Sequence, residues 1–264
     1  MSRRVVILGC GSSGGVPRVG GEWGACDPAD PKNRRRRCSI LVERTGPDGV
    51  TTALVDTSPD LRDQLLDAGV TRLDGVLITH SHADHTHGID DVRPLVIRQR
   101  GRIDIHMDDE TASHLRARFG YVFETPPGSQ YPPLLTARRL EHGAPSRIEG
   151  PGGAIEAIPF RLEHGDMEAL GFRFGDMAYT PDVIGIPEES RPYLEGLDLW
   201  IIDALRYTRH PSHFSLEEAL AWIARMRPRR AVLTNLHTDL DYARLKRELP
   251  RNVEPAYDGL ELAF

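Results

Sequence analysis

The sequence predicts an α/β protein built from two sheet-forming halves. Three observations carry this expectation: short Val/Ile/Leu-rich runs recur along the chain, helical periodicities separate several of them, and Gly175 with Asp176 forms a hairpin link. The strand candidates, in order, are 4–8, 38–43, 51–56, 73–79, 102–106, 154–162, 170–174, 177–180, 198–203 and 230–235, with a short last one at 259–264. Helices are expected at 59–68, closed by Gly69, and at 109–119, closed by Gly120. The clearest is "SLEEALAWIARM". Ser215 and Glu218 spell a capping box there, and Leu216, Ala219, Leu220, Ile223 and Met226 follow at helical spacing. A final helix is expected at 240–249. Residues 121–153 are rich in Pro and Gly and read as a long loop or insertion in a single domain spanning 1–264.

Composition narrows the function. Hydrophobic content of 39% with 27% charged residues describes an ordinary globular chain, and 25 glycines with 20 prolines predict many loops. A net charge of −6 gives no overall attraction to DNA or an anionic membrane. No apolar run is long enough to span a bilayer, and the start of the chain lacks a signal-peptide pattern. Cys10, Cys26 and Cys38 are few, odd in number and widely spaced, which argues against a disulfide framework; a cytoplasmic location is expected.

Gly9 to Gly14 spell G-x-G-x-x-G after an apolar run, the fingerprint of a dinucleotide-binding loop. That reading requires a following helix and an acidic residue about 20 residues on. Pro17 and a loop-like stretch follow instead, and "NRRRR" occupies the acidic position.

A histidine-rich stretch decides the chemistry. "VLITHSHADHTHG" holds His80, His82, Asp84 and His85 where an apolar strand ends. Residues 80 and 82 address one side if strand periodicity persists, so both imidazoles can meet one cation. Asp84 and His85 come after the chain turns and can serve a second. Imidazole with carboxylate suits zinc, manganese or iron. Further candidates end other strands: His164, Asp182 and His237.

"THSHADH", followed by distant His164, Asp182 and His237, resembles the metallo-β-lactamase superfamily. The resemblance implies an αββα sandwich, two mixed β-sheets flanked by helices, with two divalent metal ions at the strand edge. It implies that His80, His82 and His164 hold one metal, that Asp84, His85 and His237 hold the other, and that Asp182 bridges them. It also implies that Asp56, in "LVDTS", supports the histidine loop from outside the ligands. "LGCGSSGGVP", "NRRRRCSILV", "HFSLEEAL" and "AYDGLEL" resemble the phosphodiesterase branch, in particular the enzyme of phosphonate breakdown that opens phosphoribosyl 1,2-cyclic phosphate. The glycines then form a tight loop near the metals. Two departures stand out. Only Cys26 lies where that enzyme has a cysteine cluster suited to structural zinc, and Asn235 replaces a histidine.

The expected activity is metal-dependent hydrolysis of a small cyclic or nucleotide-like phosphodiester. Paired cations make a bound water acidic near neutral pH and neutralise charge on phosphate oxygens. His213, two residues before the Ser215 cap, is the expected general acid for the leaving oxygen; Asp84 is grouped with it as catalytic. Arg37, from the arginine run, and Ser12 and Ser13 are expected to touch substrate. The alternatives are a tRNA 3′-processing endonuclease, which would make RNA the partner, a thioester or lactone hydrolase, and a non-catalytic metal- or nucleotide-binding protein. The Pro-rich insertion offers a surface for a homodimer.

Overall fold

The computed structural model describes residues 2–264. Fourteen strands form two seven-stranded sheets among the described residues. The first sheet contains β1 (Ser2–Gly9), β2 (Ser39–Gly46), β3 (Gly49–Val55), β4 (Gly75–Leu77), β5 (Ile103–Met107) and β6 (Leu135–Arg139). The second contains β7 (Ser146–Ile148), β8 (Ile155–His164), β9 (Met167–Phe174), β10 (Met177–Thr180), β11 (Leu199–Asp203), β12 (Arg230–Thr234) and β13 (Val253–Pro255). The last strand, β14 (Glu261–Ala263), returns to the first sheet beside β1. The orders are β14-β1-β2-β3-β4-β5-β6 and β13-β12-β11-β10-β9-β8-β7.

The sequence pattern dictates the layers. Strands buried on both faces read as continuous apolar runs rather than alternations. Along β1, Val5 and Ile7 enter the core shared by the two sheets, while Val6 and Leu8 enter a second core on the other face. On β11, Leu199 and Ile201 belong to the shared core, whereas Trp200 and Ile202 belong to a third. The second core is closed by α1 (Leu61–Asp67), α3 (Arg93–Gln99) and α4 (Asp109–Phe119), the third by α5 (Leu216–Met226) and α6 (Tyr242–Glu248). A one-turn helix, α2 (Ala83–Thr86), carries part of the histidine motif. The result is the expected helix–sheet–sheet–helix sandwich of mixed sheets.

Local chemistry explains the helix limits. Ser215 Oγ accepts from Glu218 N at 3.3 Å, and Glu218 Oε2 accepts from Ser215 N at 2.9 Å, which completes the capping box. Removing an N-cap hydroxyl costs about 1 kcal/mol. Ser215→Ala is therefore expected to lower the denaturant midpoint of unfolding while leaving the slope unchanged. The last helix begins two residues later than expected, because Asp241 Oδ1 caps Arg244 N at 2.8 Å.

The 121–153 segment differs from the expected loop: it contains β6 and β7, the outermost strands of the two sheets. Both are short edge strands with exposed charged positions, so neither gives a clean apolar run. The arginine run also differs. Arg35 is 2% exposed and fastens the loop after β12, donating to the carbonyls of His237 (3.2 Å) and Leu240 (2.7 Å). Arg36 pairs with Asp67 and Arg37 with Asp60. These side chains clamp loops together.

The Gly-rich segment contains no helix. It threads between residues 35–37 and the end of β12, bridging Arg37 and Leu236 through Gly11. A Cβ on Gly9 would sit 2.0 Å from the Arg37 carbonyl oxygen, and one on Gly11 would sit 2.9 Å from the Arg35 Cβ. The glycines are needed for close packing of chain on chain.

Candidate metal centre and active site

Within the first sheet β1, β3 and β4 run in one direction, as do β8, β10, β11 and β12 in the second. Their carboxyl ends deliver Ser12, Asp56, His80, His164, Asp182, Asp203 and Asn235 to one edge of the sandwich.

Three groups of side chains have ligand atoms within 4.8 Å of one another: His80, His82 and His164; His80, His85 and Asp182; and His164, Asp182 and His213. His80 Nε2 lies 3.0 Å from His82 Nδ1, and His164 Nε2 lies 3.3 Å from the same atom. Imidazole nitrogens converging in this way share too few protons to satisfy one another. Asp182 Oδ1 is buried without a hydrogen-bond partner. An orphaned carboxylate oxygen facing convergent imidazoles fits a divalent cation, and nitrogen with oxygen ligands suits zinc, manganese or iron.

The partners behind these side chains fix which nitrogen faces inward. Asp56 Oδ2 sits 2.7 Å from His85 Nδ1 and accepts from the Thr79 hydroxyl, so His85 Nε2 turns toward Asp182 Oδ1 at 3.3 Å. Asp56 is itself a non-glycine residue at φ +66°, a strained conformation at the base of the site. His164 Nδ1 lies 2.8 Å from the Ser212 carbonyl, leaving Nε2 for the centre, and His80 Nδ1 lies 3.0 Å from Thr79 Oγ1. Burial pushes His80 well below the usual histidine range and lowers His164, so both keep a free lone pair at neutral pH. Burial alone would raise Asp182, but His85 beside it outweighs that and holds the carboxyl well below its usual range.

His213 lies beside this cluster, its ring 4.7 Å from that of His164 and its Nε2 3.9 Å from Asp182 Oδ2. Its Nδ1 is 2.9 Å from Asp203 Oδ2, and Asp203 also accepts from Val183 N (3.0 Å) and Asn235 Nδ2 (3.2 Å). Burial lowers the His213 pKa, yet the Asp203 carboxylate and its hydrogen bond prevail and raise it to about 9. Asp203 closes β11, and Asn235 stands where the resembled enzyme carries a histidine. Here both brace His213.

His237 and Asp84 line the same pocket, but neither joins these groups among the described residues. His237 Nε2 is taken by a hydrogen bond from Arg18, and its Nδ1 lies 3.1 Å from Asp239. His237 can therefore hold a cation only when Arg18 yields that lone pair. Asp84 Oδ2 is 3.6 Å from His85 Nε2. Ser12 and Ser13 line the pocket as expected; Arg37 does not, because Asp60 holds it 2.9 Å away beside α1. Arg18, Arg206 and His210 are pocket residues that sequence reasoning missed. Arg18 lies just beyond the glycine run and the other two on the loop after β11, with no motif to mark them.

The αββα sandwich and the histidine–aspartate cluster at its strand edge place the chain among the metal-dependent hydrolases of the metallo-β-lactamase fold. The chain belongs to the beta-lactamase superfamily, whose domain matches residues 51–235. A solved diphosphatase of the PhnP family is similar over 100% of this chain and 98% of its own, with 34% identity and a TM-score of 0.88. An octanoyltransferase of Porphyromonas gingivalis is 34% identical over 263 residues, 98% of this chain. This chain spans about half (51%) of that relative's length. Zinc-bound PqqB of Methylobacterium extorquens shares the fold, with a TM-score of 0.72 at 20% identity over 98% of this chain and 99% of its own. No helix among the described residues is long and apolar enough to cross a membrane.

Proposed function

We infer that the protein is a dinuclear metal-dependent phosphodiesterase acting on a small cyclic or nucleotide-like phosphodiester. The observation that carries the reading is His213, braced by buried Asp203 and placed at the rim of the histidine–aspartate cluster. A phosphodiesterase with an alkoxide leaving group needs a proton donor beside its ligand set, and His213 is placed to supply one. The 34% identity with a diphosphatase of the PhnP family supports hydrolysis at phosphorus. The pocket measures about 240 Å³. That lies below the roughly 300–1,000 Å³ of sites for drug-sized ligands and supports a small substrate.

His80, His82 and His164 would hold one cation and Asp84, His85 and, once released by Arg18, His237 the other, with Asp182 shared. Bound divalent cations supply an acidic water and neutralise charge on a phosphoryl group. The chain's own groups do the rest. Asp56, Thr79 and the Ser212 carbonyl hold the imidazoles in register. Asp203 keeps a proton on His213 Nδ1 and orients the ring, so Nε2 can pass its proton to the departing sugar oxygen.

The test is hydrolysis of bis(p-nitrophenyl) phosphate. Turnover is expected to vanish on chelation and return with manganese or zinc. No turnover with two metals bound would overturn the reading in favour of thioester or lactone hydrolysis.

A further inference from the structure

The edge of the sandwich opposite the metal centre carries a second cleft. β4, β5 and β6 run parallel, with Ile103 registered against Leu135, so the chain entering β5 and β6 lies at the end away from His80. The cleft measures about 340 Å³ and is formed by the end of α3 and the segment that enters β6. Small-molecule sites span roughly 300–1,000 Å³ and are mostly apolar with a few polar groups. This lining follows that rule. Val96 and Leu134 are buried in it, and Ile97, Tyr131, Pro132 and Pro133 complete the apolar surface. Ile97 is 68% exposed and Tyr131 76%. Large apolar side chains exposed singly need no explanation, but two on one concave apolar surface point to an occupant.

The charged groups that line the cleft are all arginines: Arg93, Arg100 and Arg102. Arg93 is paired with Asp90 at 2.6 Å. The guanidinium groups of Arg100 and Arg102 make no hydrogen bond or ion pair among the described residues. Two uncompensated positive charges thus stand beside an apolar cleft in a chain of net charge −6. Such a surface complements a ligand that is apolar along its length and anionic at one end.

The walls favour an acyl chain over a peptide. Pro132 and Pro133 have no N–H to offer. Tyr131 N donates to Ser129 Oγ (3.2 Å) and Leu134 N to the Val122 carbonyl (2.8 Å). Arg100 N and Gly101 N donate to the Ile97 and Val96 carbonyls (3.2 and 3.3 Å). A docked peptide would bury its own backbone groups against walls whose donors are already used. An acyl chain carries no such groups. The two prolines also fix the wall's backbone, so little order has to be gained on binding.

We propose that this cleft binds an anionic amphiphile, a single acyl chain lying on Val96, Ile97, Tyr131 and Leu134 with its carboxylate on Arg100 and Arg102. Guanidinium forks match carboxylate oxygens in pairs. The site shares no residue with the metal centre and stands whatever reaction that centre performs.

The test is calorimetric titration of metal-loaded full-length protein with decanoate, and one decanoate per chain is expected. Octanoate should bind about tenfold more weakly, because two fewer methylenes are buried. Decyltrimethylammonium, with the same tail and the opposite charge, should not bind. R100Q/R102Q should weaken decanoate by about tenfold or more. I97D should weaken it too by setting a negative charge in the apolar wall, and Ile97 is exposed enough for the cores to stay intact. A carboxylate held by the metal centre instead would keep its affinity in both variants, and that result overturns the site. No binding up to about 1 mM decanoate, or equal affinity for octanoate or for the cationic analogue, overturns it as well. So does binding of an acidic peptide or an anionic phosphatidylserine vesicle where decanoate fails to bind.

Discussion

Asp182→Asn is expected to abolish phosphodiester hydrolysis, by about 10³-fold or more, while leaving the fold in place. Its carboxylate lies near His80, His85, His164 and His213, and one of its buried oxygens has no hydrogen-bond partner. An amide there keeps the shape but removes the negative charge that draws cations into the histidine cluster. Metal assistance is worth several kcal/mol of transition-state stabilisation, at roughly 1.4 kcal/mol per tenfold in rate. Steady-state kinetics with metal analysis of the same sample checks the claim. Near-normal turnover by the variant would show that Asp182 does not hold the metals.

His213→Ala is expected to separate substrates by leaving group. An alkoxide departs poorly without a proton, so sugar-type diesters should lose about 10²- to 10⁴-fold in kcat. Nitrophenolate leaves unaided, so bis(p-nitrophenyl) phosphate should lose far less. Asp203→Asn should follow the same pattern more weakly, since it removes the group that keeps His213 charged and aimed. Equal losses on both substrate types would show that His213 ligates or packs but does not donate the proton.

Much of the fold was legible because strands buried on both faces write themselves as unbroken apolar runs. Val5 to Leu8 and Leu199 to Ile202 each feed two cores and could not be mistaken for surface. The capping box at Ser215 was equally plain, being a local motif with a local cause. The edge strands β6 and β7 were hidden because an edge needs only one buried face and a few ladder bonds. Pro and Gly around them masked what remained.

The candidate site divides in the same way. His80, His82, Asp84 and His85 are visible because four candidate ligands crowd into six residues. The pairing of His213 with Asp203 is ten residues apart and depends on the β11 end meeting the loop before α5. Arg35 and Arg37 look alike in sequence, yet one is a buried clasp and the other an ion-pair partner of Asp60. Arg18 and Arg206 are single charges on unrelated loops, brought together only by the sandwich.

The most direct test of the account is the metal content of the intact full-length protein, read by native mass spectrometry after reconstitution with zinc or manganese. The account predicts two ions per wild-type chain, and fewer in Asp182→Asn. A wild-type chain that takes up no ion, or two ions retained unchanged in Asp182→Asn, would contradict a dinuclear centre built on the His80–His82–His164–Asp182 cluster.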